Sequence, residues 1–148
     1  MDKLTESLSV TGDVEIIVTD ASGTVKQSTR IKNLVVSSGK SWIAARMLGT
    51  SAAVMSHIGI GTGNITPTLG NQLLGSEIAR SAFTTTSRSN NQVTYSTSFA
   101  PGVGTGIITE AGIFNASSLG TMLCRTVFSD VNKDVLDILT INWTITIL

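Results

Sequence analysis

The last ten residues carry the clearest pattern in the chain. Leu139, Ile141, Trp143, Ile145 and Ile147 alternate with Thr140, Asn142, Thr144 and Thr146. A period of two sends successive side chains to opposite faces and predicts a strand with one face in the core. The same period recurs over 92–100, where Val93, Tyr95, Thr97 and Phe99 alternate with Thr94, Ser96 and Ser98. Near the start, Val14, Ile16 and Val18 repeat it, Asp20-Ala-Ser-Gly23 supplies a turn, and residues 24–36 read as the returning strand of a hairpin. Runs at 58–63, 107–114 and 122–128 predict further strands.

One segment has helical spacing instead. Trp42, Ala45 and Met47/Leu48 fall near one face, Ser41 is placed to cap and Gly49 to stop, which predicts a helix over 41–48. Residues 67–80 read as irregular, with one helical turn near 71–74. Seven or eight strands, one short helix and no internal repeat predict a mainly all-β fold, an antiparallel β-sandwich. The expected organisation is a flexible polar N-terminal arm over 1–12 and a single domain over 13–148. Its core is expected to contain Val93, Tyr95, Phe99, Ile141, Trp143 and Ile145.

Composition sharpens this picture. A chain of 148 residues suits one core, and 41% hydrophobic residues suffice to build it. Only 14% are charged, against about 25% in ordinary soluble domains. The polar surface must then come from Ser, Thr, Asn and Gly. Such a surface suits partial burial against other subunits, because interface cores are depleted of charge. Ten basic and ten acidic residues cancel, with no basic stripe for nucleic acid and no basic amphipathic segment for a membrane surface. The first ten residues hold no signal-peptide pattern and no apolar run reaches membrane-spanning length. The expected partners are protein surfaces. Cys124 stands alone, which fits synthesis in a reducing cytoplasm.

Catalytic chemistry has little to work with. His57 and Cys124 are the sole His and Cys, and either would need a carboxylate brought to it by the fold. His57 beside an apolar strand reads as a structural imidazole, and Cys124 within a strand as a small buried hydrophobe. No His, Cys or carboxylate cluster suggests a metal, and no cofactor is expected. Gly59, Gly61 and Gly63 lack the following Lys-Ser/Thr of a phosphate loop, so a tight turn or close backbone approach explains them better. Ser38-Gly-Lys-Ser41 lacks that loop's upstream glycine, since position 34 is Leu. Four charges stand out because they lie in or beside apolar segments: Glu77, Arg80, Glu110 and Arg125. They are candidates for ion pairs inside the fold or across a subunit contact, and equally for ordinary solvated side chains.

Several blocks resemble a family of small tailed-bacteriophage structural proteins. They are Asn33-Leu-Val-Val36, Gly39-Lys40, Ile43-Ala-Ala-Arg46, Ile60-Gly-Thr-Gly63, Pro67 and Leu74-Gly-Ser-Glu-Ile-Ala-Arg80. Then follow Val93-Thr-Tyr95, Thr109-Glu-Ala-Gly-Ile-Phe-Asn115, Gly120-Thr-Met-Leu123 with Arg125, and Leu139-Thr-Ile-Asn-Trp-Thr-Ile145. Glu-x-Gly-Ile-Phe, a glycine turn and a strand ending in Arg are similar to segments of tail-fibre and tail-collar proteins. The resemblance implies a non-enzymatic virion subunit made in the host cytoplasm and built into the particle. A tail-associated place, as a fibre, baseplate or neck component, is expected first, and a capsid decoration or cement protein second. A carbohydrate-binding module is the reading from a different class, and it would need exposed aromatics or a calcium cluster. The expected partners are copies of the chain itself, as a trimer or hexamer, and other virion proteins.

Overall fold

The structure is a computed structural model that describes residues 3–49 and 52–148. Ten strands form two antiparallel five-stranded sheets that pack face to face, with one helix at the side. The strands are β1 (Val10–Thr19), β2 (Val25–Lys32), β3 (Leu34–Val35), β4 (His57–Gly61), β5 (Glu77–Ala82), β6 (Thr85–Ser89), β7 (Gln92–Phe99), β8 (Gly106–Phe114), β9 (Met122–Lys133) and β10 (Ile138–Ile147); the helix α1 is Ser37–Arg46. The first sheet has the order β2-β1-β10-β7-β6 and the second β3-β9-β8-β4-β5. The predicted antiparallel sandwich is correct in class, with ten strands rather than seven or eight.

Strand β10 is central because it has a complete partner on each side. It pairs with β1 from Thr19↔Ile138 to Val10↔Ile147, and with β7 from Leu139↔Phe99 to Thr146↔Gln92. Leu139, Ile141, Trp143 and Ile145 therefore meet Val18, Ile16, Val14, Phe99 and Thr97 on the inner face, and all are buried. The second sheet contributes Ile58, Ile60, Ile108, Ile113 and Cys124 to the same core. Trp143 satisfies its one donor by giving Nε1–H to Asn33 Oδ1 at 2.6 Å. Of the six residues expected in the core, Phe99, Ile141, Trp143 and Ile145 are buried, whereas Val93 and Tyr95 are half-buried. Those two lie toward an open end of the sandwich, where they line a cleft of about 410 Å³ with Trp42 and Arg88.

Four expectations need correction. The segment 24–36 is not one strand: β2 ends at Lys32, and Leu34–Val35 pairs with β9 in the opposite sheet. Alternation identifies a buried face without saying which sheet owns it, and the chain crosses over at Asn33. The helix runs over Ser37–Arg46 rather than 41–48, and Ser41 lies inside it. It packs so closely on β9 that a Cβ at Gly39 would stand 2.0 Å from the Leu123 carbonyl oxygen. Gly39, which reads locally as a helix breaker, is the residue that permits the contact. The expected arm over 1–12 is shorter, because β1 starts at Val10; residues 1 and 2 lie outside the described residues. Residues 67–80 contain the start of β5, and in place of a helical turn near 71–74 there is a turn at Leu69 and Gly70. Thr68 N–H donates to Asn71 Oδ1 at 2.9 Å and Asn71 N–H to the Thr68 carbonyl at 3.1 Å, which closes that turn.

Candidate functional site

The outer face of the second sheet carries what the core does not. The register Gly61↔Glu110, Gly59↔Gly112 and Gly112↔Arg125 puts the glycine run, Glu110 and Arg125 on one side of β4, β8 and β9. Ile58, Ile60 and Ile113 face the other way, into the sandwich. A satellite cluster of Val36, Leu74, Phe114 and Met122 covers part of this outer face. Leu74 comes from the irregular segment 62–76, which lies over the sheet as a cover.

Glu110 holds that segment in place. Its Oε1 accepts from Ser76 N–H at 2.6 Å and Gly63 N–H at 2.9 Å; its Oε2 accepts from Gly75 N–H at 2.8 Å. Arg125 donates to the same Oε2 from Nη2 at 2.9 Å and Nε at 3.1 Å. The Arg125 Nη1 then reaches the Ile65 carbonyl at 2.9 Å and Asn71 Oδ1 at 3.1 Å. Glu110 is 0% exposed and Arg125 2%. Burial raises the Glu110 carboxyl, but the N–H groups of Ser76, Gly75 and Gly63 and the Arg125 guanidinium outweigh it, and the net direction is down. Glu110 is thus held in its charged form, and the pair ties both ends and the middle of segment 62–76 to the sheet.

The glycines are part of this device. A Cβ at Gly63 would lie 2.5 Å from Glu110 Oε1, and one at Gly61 would lie 2.5 Å from that oxygen and 2.3 Å from the Ser76 carbonyl oxygen. A close backbone approach, one of the two explanations the sequence offered, accounts for Gly61 and Gly63, whereas a Cβ at Gly59 would meet the Phe114 ring at 3.0 Å. The backbone must come within hydrogen-bond reach of a carboxylate, and a side chain would hold it away.

The other two candidates form a second pair on the same face. Arg80 gives Nη2–H and Nε–H to Glu77 Oε1 and Oε2, both at 2.8 Å, and Nη1–H to the carbonyls of Ala116 at 3.0 Å and Leu119 at 2.8 Å. Its guanidinium lies 3.7 Å from the Phe114 ring centre. All four charges therefore pair within the chain; Glu110 and Arg125 are buried, Arg80 is half-buried and Glu77 is exposed.

The clamped segment exposes three large apolar side chains among polar ones such as Thr62, Asn64, Thr66, Thr68 and Gln72. Ile65 is 77% exposed and Leu73 66%, with Leu69 also exposed. Ile65 and Leu73 border an open cleft of about 530 Å³ with Arg125 at its edge. Comparisons with protein-family models, curated proteins and solved structures find no match. The surface must therefore be read from its own geometry.

The residues considered for catalysis sit elsewhere. Cys124 is buried on the inner face, where burial pushes its thiol well up, the opposite of what a nucleophile needs. His57 is half-buried, with Nδ1 2.7 Å from Ser56 Oγ; burial and then the Arg80 charge lower its pKa and favour the neutral ring. Among the described residues no three His, Cys, Asp or Glu side chains converge as metal ligands. Sequence reasoning missed a further buried cation. Lys133 is 0% exposed and donates Nζ–H to the Ala100 carbonyl at 3.0 Å, beside Asp137, which accepts from Lys26 Nζ at 2.7 Å. The polar end of β9 gave no hint that Lys133 points inward.

Proposed function

We propose that the chain is a non-enzymatic structural subunit of a tailed-bacteriophage particle, tail-associated as a fibre, baseplate or neck component. It works by assembly with copies of itself, as a trimer or hexamer, and with other virion proteins. The observation that carries this reading is the clamped segment. A loop of this length without regular structure normally has conformational freedom to lose on binding. Here Glu110 and Arg125 hold its backbone in advance, and among the side chains that this backbone exposes are Ile65, Leu69 and Leu73. A rigid apolar display costs less to bury against a partner than a mobile one. The blocks that resemble phage structural proteins include the residues that build the clamp. Gly61, Gly63, Gly75, Ser76, Glu110 and Arg125 all belong to them.

Capsid decoration is the second placement, and the same surface would serve it. The carbohydrate-binding reading gains less support. Its aromatics at the open end are already engaged, Trp42 by Arg46 at 5.1 Å and Tyr95 by Phe83 stacked at 4.6 Å.

Light scattering on the full chain at micromolar concentration tests the proposal. A trimer or hexamer is expected, and Ile65→Asp with Leu73→Asp should lower the assembly or abolish binding to purified phage particles while leaving the melting temperature nearly unchanged. A soluble monomer that binds no phage component would overturn it. Gold-labelled antibody on intact particles separates tail from capsid placement.

A further inference from the structure

A second apolar feature lies where the chain enters β1. Residues 3–9 have no regular structure and are exposed throughout, and Leu4 is 95% exposed. The segment leaves the sandwich beside the end of β10, where Ser9 and Leu148 exchange backbone hydrogen bonds at 3.3 and 2.8 Å. Next to it runs a cleft of about 430 Å³, with Leu8 and Val10 on one wall and Ile43, Ala44 and Met47 of α1 on the other. Lys40 stands at its rim.

We propose that the Lys3–Leu8 segment of one copy seats in this cleft of the next copy, with Leu4 as the anchor. The inference rests on the reading that the chain assembles with itself. Three observations point to a second copy as the occupant. First, the segment and the cleft match in chemistry. Leu4 needs cover, the cleft offers aliphatic walls, and among the described residues neither Glu6 on the segment nor Lys40 at the rim has an ion-pair partner. Among the described residues, eleven other charged side chains form ion pairs within the chain. Second, Leu8 is itself a wall of its own chain's cleft, while Leu4, four residues upstream, stands in solvent. For Leu4 to fill that same cleft, the chain would have to reverse within residues 5–7. In an extended course, four residues carry Leu4 about 13 Å away, toward a neighbour. Third, a contact between one patch and a different patch is heterologous, and repeated around an axis it closes a ring such as a trimer or hexamer. The contact is non-covalent: leucine burial supplies the affinity, and Glu6 with Lys40 sets the register.

Cysteine pairs test this in the 148-residue chain, because Cys124 is buried and out of reach. Two differently tagged chains are co-expressed, one with Leu4→Cys and the other with Met47→Cys, and mildly oxidised. A disulfide-linked dimer carrying both tags is expected, and no such dimer when Ser22→Cys, in the turn at the far end of the first sheet, replaces Met47→Cys. Leu4→Asp should raise the concentration needed for assembly by about ten- to a hundredfold, the loss expected for one buried leucine. If the unsubstituted chain assembles but no mixed disulfide forms and Leu4→Asp changes nothing, the exchange is wrong and the assembly reading stands. If Leu4→Cys and Met47→Cys in the same chain form a disulfide in a monomer, the segment folds onto its own cleft and the exchange is again wrong. If the unsubstituted chain is a monomer, both fail.

Discussion

Two Arg–Glu pairs, one on each sheet, have the same chemistry and opposite settings. On the first sheet, Arg30 of β2 reaches Glu15 of β1 at 2.6 Å, and the Arg30 side chain is 77% exposed. On the second, Arg125 of β9 reaches Glu110 of β8 at 2.9 Å, and both are buried. The shorter contact is the weaker one. In water the attraction is screened and two long side chains lose freedom to make it, so exposed pairs contribute little. In the interior the ions lose their hydration, and the arrangement survives only if hydrogen bonds replace it. Glu110 has five such bonds, three from backbone N–H groups, and Arg125 adds two carbonyl-type acceptors. The exposed pair decorates a sheet, whereas the buried pair sets the shape of a loop.

The largest effect should follow from breaking the buried pair on one side. Glu110→Gln leaves Arg125 charged and uncompensated, and also turns an amide N–H₂ toward backbone donors. A loss of about 3–5 kcal/mol in urea unfolding is expected. The pH dependence should agree. Glu110's folded pKa lies below its ordinary value of 4.5. Its contribution is therefore present above that value and lost as pH falls through the folded pKa. The gap between wild type and Glu110→Gln should narrow in acid, and a gap that is constant down to about pH 2 would show that the carboxylate charge is not what matters.

Replacing both partners separates a pair from a clamp. Buried ion pairs exchanged for apolar residues of similar volume are often neutral or better. Here Glu110→Leu with Arg125→Met would orphan the N–H groups of Gly63, Gly75 and Ser76, at about 1–3 kcal/mol each where they stay dry. A loss of about 3 kcal/mol is expected, with faster amide exchange across residues 62–76. A double variant as stable as wild type would show that the segment needs no anchor. Gly63→Ala probes the same anchor from the backbone side and should cost about 1–3 kcal/mol, the range for crowding a packed site.

The two settings also differ in how far they could be read from the sequence. Strand β10 was legible because it has strands on both sides and one face in the core, so burial wrote a strict alternation. The edge strands β5 and β6 left no such mark. Every residue of β6, Thr85 to Ser89, is exposed, and its place comes from pairing with β7 rather than from burying a face. Strand β5, at the edge of the second sheet, was missed for the same reason, whereas the end of β9 was missed because one of its two inward residues, Val131 and Lys133, is a cation. Among the site residues, charges inside apolar segments marked Glu77, Arg80, Glu110 and Arg125, since a buried charge is costly enough to need a reason. Which acid meets which base was not legible, because it depends on the register of β8 against β9. The backbone donors of Gly63, Gly75 and Ser76 have no side-chain signature at all. Only Gly63 lay in the glycine run, whose meaning became clear once Glu110 was beside it.

The smallest effect should come from the exposed Arg–Glu pair, whose contact is shorter than that of the buried pair. Arg30→Ala removes a 2.6 Å contact, yet Glu15 remains half-buried at a sheet surface and still accepts from Asn142 Nδ2 at 3.0 Å. Nothing buried is orphaned, and the expected loss is below about 1 kcal/mol. Salt should then tell the two pairs apart. At 1 M ionic strength the screening length falls to about 3 Å, enough to weaken an exposed contact but not one from which water and ions are excluded. Urea midpoints of wild type and Arg30→Ala should converge between low and high salt, while the gap for Glu110→Gln stays open. If Arg30→Ala costs as much as Glu110→Gln, and keeps its cost in salt, then contact distance and not burial ranks the ion pairs of this fold.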